Sequence, residues 1–160
     1  MAPRSPMALT ISIDDLSGGD VIQLLEEHLA DMYATSPPES VHALDVAKLK
    51  DPAITFFAAR QGAELKGCIA IKRLSDDDAE IKSMRTPANA RRTGAGKQLL
   101  THIIQFAQDK GYKNLLLETG TMAFFEPARQ LYLKHGFEFC GPFADYPEDP
   151  NSCFMHKVLK

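Results

Sequence analysis

The segment from Ala79 to Thr119 constrains the fold most. It reads as strand, basic glycine-containing loop, helix and strand in direct succession. Ala79–Thr86 has strand character, and Pro87 stops it. Arg91-Arg92-Thr93-Gly94-Ala95-Gly96 then leads into a helix over Lys97–Lys110. Its Leu99, Leu100, Ile103, Ile104 and Phe106/Ala107 fall at helical spacing, and Gly111 marks the stop. Asn114–Thr119 is almost continuously apolar, as a strand deep in a sheet is. Two strands joined through one helix pair in parallel, because only a crossover of that length returns the chain in the same direction.

The loop is the chemically informative part. A helix start leaves backbone N–H groups without partners and carries a partial positive charge. Gly94 and Gly96 let several N–H groups converge on one anion, and Arg91 and Arg92 add full charges with planar donors. Such a corner holds a phosphate or diphosphate. It is not a P-loop: Gly96-Lys97 is followed by Gln98, and Arg91 stands where the first glycine belongs. It is not a dinucleotide fingerprint either, since Gly94-Ala95-Gly96-Lys97-Gln98-Leu99 lacks the third glycine.

What remains is [RQ]-x-x-G-x-[GA], carried by Arg91, Gly94 and Gly96. About 35 residues on comes a second string, Ala128-Arg129-Gln130-Leu131-Tyr132-Leu133-Lys134-His135-Gly136-Phe137. The first resembles the acyl-CoA loop of the GNAT (N-acetyltransferase) superfamily. The second resembles that superfamily's A-x-x-L-Y-x-x-x-G-F helix. The resemblance runs from about Ala79 to Phe137. Ser36–Asp45 and Glu118–Gly120 carry the SPPESVHALD and ETG strings of a small bacterial GNAT branch.

The chain has 160 residues, enough for one domain with its own core, so residues 1–160 are expected to form a single domain after a loose tail at 1–7. Net charge is −3, which supplies no basic field for nucleic acid or anionic membrane, and leaves the arginine pair as a local feature suited to a small anion. Cys68, Cys140 and Cys153 make an odd set with no C-x-x-C, arguing against a zinc or disulfide framework. Free thiols and the lack of an export-type leader point to the cytoplasm. No stretch approaches the roughly 20 apolar residues of a membrane span.

Ala8–Ile13 alternates as a strand, and Asp20 caps a helix to about Tyr33 with Leu24, Leu25, His28, Leu29 and Met32 on one stripe. His28 reads there as a stripe-edge residue. A short helix follows over Val41–Leu49. Ile54–Arg60 and Gly67–Leu74 form a hairpin across residues 61–66, and Phe137–Phe143 and Ser152–Leu159 are the last strands. The expected architecture is α/β: a mixed sheet of about seven strands with about four helices.

The GNAT resemblance implies an acetyl-CoA-dependent N-acetyltransferase, with parallel strands splayed around the acyl-CoA site and acetyl-CoA as acyl donor. A non-catalytic acyl-CoA sensor on the same fold is the alternative. By position, a bulge near Met84, Arg85 and Thr86 would bind the acyl carbonyl and pantetheine arm. Amides from Arg92 through Thr93, Gly94, Ala95 and Gly96 to Lys97 would cradle the diphosphate, with Arg91 beside them. Phe125, where many members have Asn, would pack on the pantetheine, next to Ala128. Tyr132 is the implied general acid. Glu118, at the tip of an apolar strand, is the first choice for base, with Glu80 or a water chain as alternatives. The acceptor, a small-molecule amine or peptide amine, is expected between the segment with Tyr33 and His42 and the loop with Asp145 and Tyr146. No metal is expected, and a homodimer is left open.

Overall fold

The computed structural model describes residues 9–40, 46–86, 94–144 and 146–159. Along these segments the elements are β1 (Thr10–Ile13), α1 (Gly19–Thr35), α2 (Val46–Leu49), β2 (Ile54–Gln61), β3 (Glu64–Arg73), β4 (Asp78–Arg85), α3 (Ala95–Asp109), β5 (Asn114–Gly120), α4 (Glu126–Lys134), β6 (Glu138–Cys140) and β7 (Ser152–Val158). Short 3-10 turns lie at Pro38–Ser40 and Ala123–Phe125. The strands make one seven-stranded sheet in the order β1-β2-β3-β4-β5-β7-β6. Every neighbouring pair is antiparallel except β4 with β5.

Strand alternation sorts the side chains onto two faces. Phe57, Ile69, Ile71, Ile81, Leu115, Leu117 and Met155 face α3 and α4 and pack with Leu99, Leu100, Ile103 and Phe137. Phe56, Cys68 and Ala70 face the other way and pack with Val21, Leu24, Leu25 and Leu49. Leu99, Leu100 and Ile103 are fully buried. Each is worth about 2 kcal/mol in apolar area removed from water, so their spacing fixes α3 across the sheet.

Some boundaries differ from the sequence reading. The β2–β3 hairpin closes at Gly62-Ala63, with Gln61 opposite Glu64, so the strands run further than expected. Gly62 has φ 63°, which a type II′ turn requires at its first central position. The helix cap is Gly18, and Asp20 sits in the first turn, bonded to Arg60 at 2.6 Å. The strand expected over Phe137–Phe143 shrinks to Glu138–Cys140. Pro142 has no N–H to continue the ladder, and Phe137 is instead 2% exposed, edge-on to Tyr132 with centroids 5.7 Å apart.

Candidate active site

The site begins where the sheet comes apart. β4 and β5 pair only from Asp78–Ile81 with Asn114–Leu117. Past that point β4 continues to Arg85 and β5 to Gly120 without pairing each other. The other edge of β4 is irregular too. Ala70 faces Lys82 but Cys68 faces Arg85, so three steps on β4 meet two on β3. This is a bulge, and within it Ser83 takes φ 54°, a conformation a non-glycine residue adopts only when its surroundings enforce it.

Two adjoining clefts occupy the opening. A long groove runs past Met84, Arg85 and Thr86 at the end of β4, Gly94, Gly96 and Lys97 at the start of α3, and Phe124, Phe125, Pro127, Ala128, Leu131 and Lys134 around α4. A smaller pocket is lined by Glu80, Lys82, Ser83, Glu118, Tyr132 and Tyr146, with Met32 of α1. His28, Met84, Phe125 and Ala128 belong to both walls, so the groove and the pocket adjoin.

The groove's α3 end suits a diphosphate. Gly94 has φ 88° and offers no side-chain cap, and the first helical bond runs from the Gln98 N–H to its carbonyl at 3.0 Å. The Ala95, Gly96 and Lys97 amides therefore precede any helical carbonyl that could take them. A Cβ built on Gly94 meets nothing within 4 Å among the described residues, which leaves room for an anion near the amides. Lys97 and Lys134 add positive charge along the groove. These features fit CoA. At the other end, a Cβ on Gly120 would lie 2.2 Å from the Phe125 ring. Only glycine lets Phe125 close over the tip of β5 and form the wall shared by both clefts. Arg129 holds α4 in place there, its Nη1 donating to the Gly120 carbonyl at 2.6 Å and to the Met122 carbonyl at 3.0 Å.

The pocket concentrates titratable groups. Burial pushes the Glu118 carboxyl up from 4.5 to about 7; the Ser152 hydroxyl and Lys82 ammonium pull it down, while Glu80 and Asp149 push it further up. Tyr132 is 6% exposed, and burial, then the charges of Glu118 and Cys153, raise its phenol above the ordinary value. Glu80 is 2% exposed; its Oε2 accepts the Tyr146 hydroxyl at 2.5 Å and pairs with Lys82 Nζ at 3.2 Å. Lys82 Nζ also donates to the Tyr146 hydroxyl oxygen at 2.6 Å. The phenol of Tyr146 is raised by burial and then by Glu80.

Of the residues expected at the site, Met84, Thr86, Gly94, Gly96, Lys97, Phe125 and Ala128 line the groove, and Glu80, Glu118, Tyr132 and Tyr146 line the pocket. Arg85 is in the groove wall, but its guanidinium is paired with Asp31 of α1. Ala95 is buried and does not line the groove. Tyr33 is 54% exposed and lines neither cleft. Arg91, Arg92, Thr93, His42 and Asp145 lie outside the described residues. Sequence reasoning missed Lys82, Arg129 and His28. The first two were visible only as charges, and His28 only as a polar residue on an apolar stripe.

A groove beside a helix start, next to a pocket lined by a carboxyl and a phenol, suits an acyl-CoA transferase. The sequence profile of the acetyltransferase (GNAT) family matches residues 21–137, and the chain belongs to that family. It is 57% identical over 149 residues to the N-acetyltransferase YsnE of Bacillus subtilis (strain 168), covering 93% of this chain and 99% of that one. It is 49% identical to YedL of Escherichia coli (strain K12), covering 94% of each. It is 41% identical to an IAA acetyltransferase of Azospirillum brasilense, covering 87% of this chain and 90% of that one. A solved structure from Klebsiella pneumoniae, assigned as an acyl-CoA N-acyltransferase, superposes with a TM-score of 0.80 at 27% identity, covering 95% and 98% of the two chains. The protein is an acetyl-CoA-dependent N-acetyltransferase of this family. Among the described residues no helix is long and apolar enough to cross a membrane, and no group of three or more His, Cys, Asp or Glu could hold a metal ion.

Proposed function

We propose that Glu118 and Tyr132 are the general base and general acid of acetyl transfer to the amine of a small molecule or an exposed amino group. The observation that carries this reading is their meeting in one pocket, which the groove from Gly94–Lys97 enters past Met84 and Phe125. Acetyl-CoA supplies an acyl group already activated as a thioester. The Ala95, Gly96 and Lys97 amides, with Arg91, Arg92 and Thr93, bind the diphosphate. Phe125 and Ala128 pack on the pantetheine, and the backbone of the Ser83–Thr86 bulge orients the acyl end.

Glu118 takes the proton that the attacking amine must lose. A carboxyl near 7 is half ionised at neutral pH and basic enough to accept it. Glu80 is the poorer base, because Lys82 and Tyr146 already satisfy its carboxylate. Glu80, Lys82 and Tyr146 instead form a fixed wall of the acceptor site. Tyr132 gives its proton to the departing thiolate. Burial makes that thiolate a stronger base than in water, as it does for Cys68, whose thiol is pushed up to about 12 in this fold.

Residues 1–160 work as one domain in the cytoplasm, where the thiols of Cys68, Cys140 and Cys153 stay free. The decisive assay is thiol release from acetyl-CoA with a panel of amines, amino acids, peptides and IAA, run on the wild type, Glu118→Gln and Tyr132→Phe. Turnover that survives both substitutions refutes the assignment.

A further inference from the structure

His28 lies in α1, the helix that packs across β4, and it is one of four residues shared by the groove and the pocket. Asp31, three residues on and so on the same helical face, is paired with Arg85. That pair fixes this turn of α1 against the β4 bulge. The Nδ1 atom of His28 is sealed from solvent and has no hydrogen-bond partner among the described residues. The residue nevertheless keeps partial exposure, which leaves Nε2 as the ring nitrogen available to the clefts.

This arrangement selects a tautomer. An orphaned buried N–H is rarer in proteins than an under-used acceptor, so the proton belongs on Nε2 and the lone pair on sealed Nδ1. The ring is also held neutral: burial, then the Arg85 charge, lower it from 6.5 to about 4, with Asp31 opposing. Arg85 and Asp31 act on it electrostatically; Glu80, Lys82, Glu118, Tyr132 and Tyr146 share its pocket, and Lys97 and Lys134 share its groove. A neutral N–H donor thus stands where a thioester in the groove meets the acceptor pocket.

We propose that His28 Nε2–H donates a hydrogen bond to the acyl carbonyl oxygen of the bound thioester, acting from α1 opposite the β4 bulge. The bond tightens as that oxygen gains charge during attack, so His28 lowers the barrier more than it raises ground-state affinity. The inference rests on the proposed location of the acyl group but not on the identity of the amine.

Isotope-edited infrared spectroscopy of acetyl-CoA carrying a 13C carbonyl, bound to the protein without acceptor, tests it directly. In the wild type the carbonyl band is expected below its position in free acetyl-CoA. In His28→Leu it should return toward the free position. His28→Gln, which keeps a neutral donor, should fall between, and serves if the leucine variant does not fold. CoA affinity by calorimetry should stay unchanged in both variants, while turnover in His28→Leu drops on the order of 10²-fold, the usual effect of losing one such donor. A band that does not move in either variant overturns the proposal. So does a raised acceptor KM with the band in place, which would assign the ring to the amine. If wild-type protein binds neither CoA nor acetyl-CoA, it is the reading of the groove that fails, and this shows before any variant is made.

Discussion

Replacing Glu118 by Gln should make the protein more stable and less active at once. The carboxyl is buried among Tyr132, Glu80 and Lys82, and its value rises from 4.5 to about 7. At about 1.4 kcal/mol per pH unit, holding this group ionised in the folded state costs about 3 kcal/mol. The sign follows from proton counts. Below pH 4.5 both folded and unfolded states carry the proton, and stability is independent of this group. Between 4.5 and about 7 the unfolded chain releases it and the folded chain does not, so stability falls as pH rises. Above about 7 both are ionised and the full penalty is in place. Gln has the shape of the protonated acid and never ionises. Urea unfolding should therefore show Glu118→Gln matching wild type at pH 4 and exceeding it by about 3 kcal/mol at pH 8, or about 6–12 °C in Tm for a chain of this size. Acetyl transfer should fall at least 100-fold, and the rising limb of the wild-type pH–rate profile near pH 7 should vanish. Equal stability of the two proteins at pH 8, or a limb near 7 that survives in the variant, would refute the reasoning.

Tyr132→Phe should cut turnover on the order of 10²-fold with CoA affinity unchanged by calorimetry, because the ring still packs on Phe137. Gly94→Glu puts an anion at the amide cluster and an L-residue at φ 88°, so CoA should bind at least 10-fold more weakly; unchanged affinity would remove the loop from the site. Gly120→Ala should drive Phe125 from the shared wall, costing about 1–3 kcal/mol in urea melts and weakening CoA binding together. Tyr146→Phe takes a bond from buried Glu80 and should lower stability by about 1–3 kcal/mol, with a higher acceptor KM in steady-state assays.

The strand–loop–helix–strand unit was legible because each part has a local signature: Gly94 and Gly96 before an amphipathic stripe, then an unbroken apolar run. Tyr132 is legible through the second string, which contains it, and Glu118 through its place at the tip of an apolar run. Other features depend on contacts remote in sequence. The Arg85–Asp31 pair spans 54 positions, and nothing near Arg85 announces that its charge faces α1. The Ser83 conformation follows from how β4 meets β3, and serine carries no mark of it. His28 shows the limit most clearly. Helical spacing puts it at the margin of a stripe, but spacing cannot tell that the margin faces a bulged strand with a cleft on either side. Over Phe137–Phe143 the opposite holds: the residues are apolar and strand-like, but Gly141-Pro142 end the ladder after Cys140.

The short parallel ladder between β4 and β5 also has a mechanical meaning. Among the described residues, four pairs, Asp78–Ile81 with Asn114–Leu117, are the sheet's whole connection between strands β1–β4 and strands β5–β7. A seam that short is where the molecule should yield first. A donor molecule lying across the gap, touching Met84 on one bank and Phe125 on the other, would act as a suture. Amide exchange at the free ends of β4 and β5 should then slow on donor binding, while the outer antiparallel strands keep their rates.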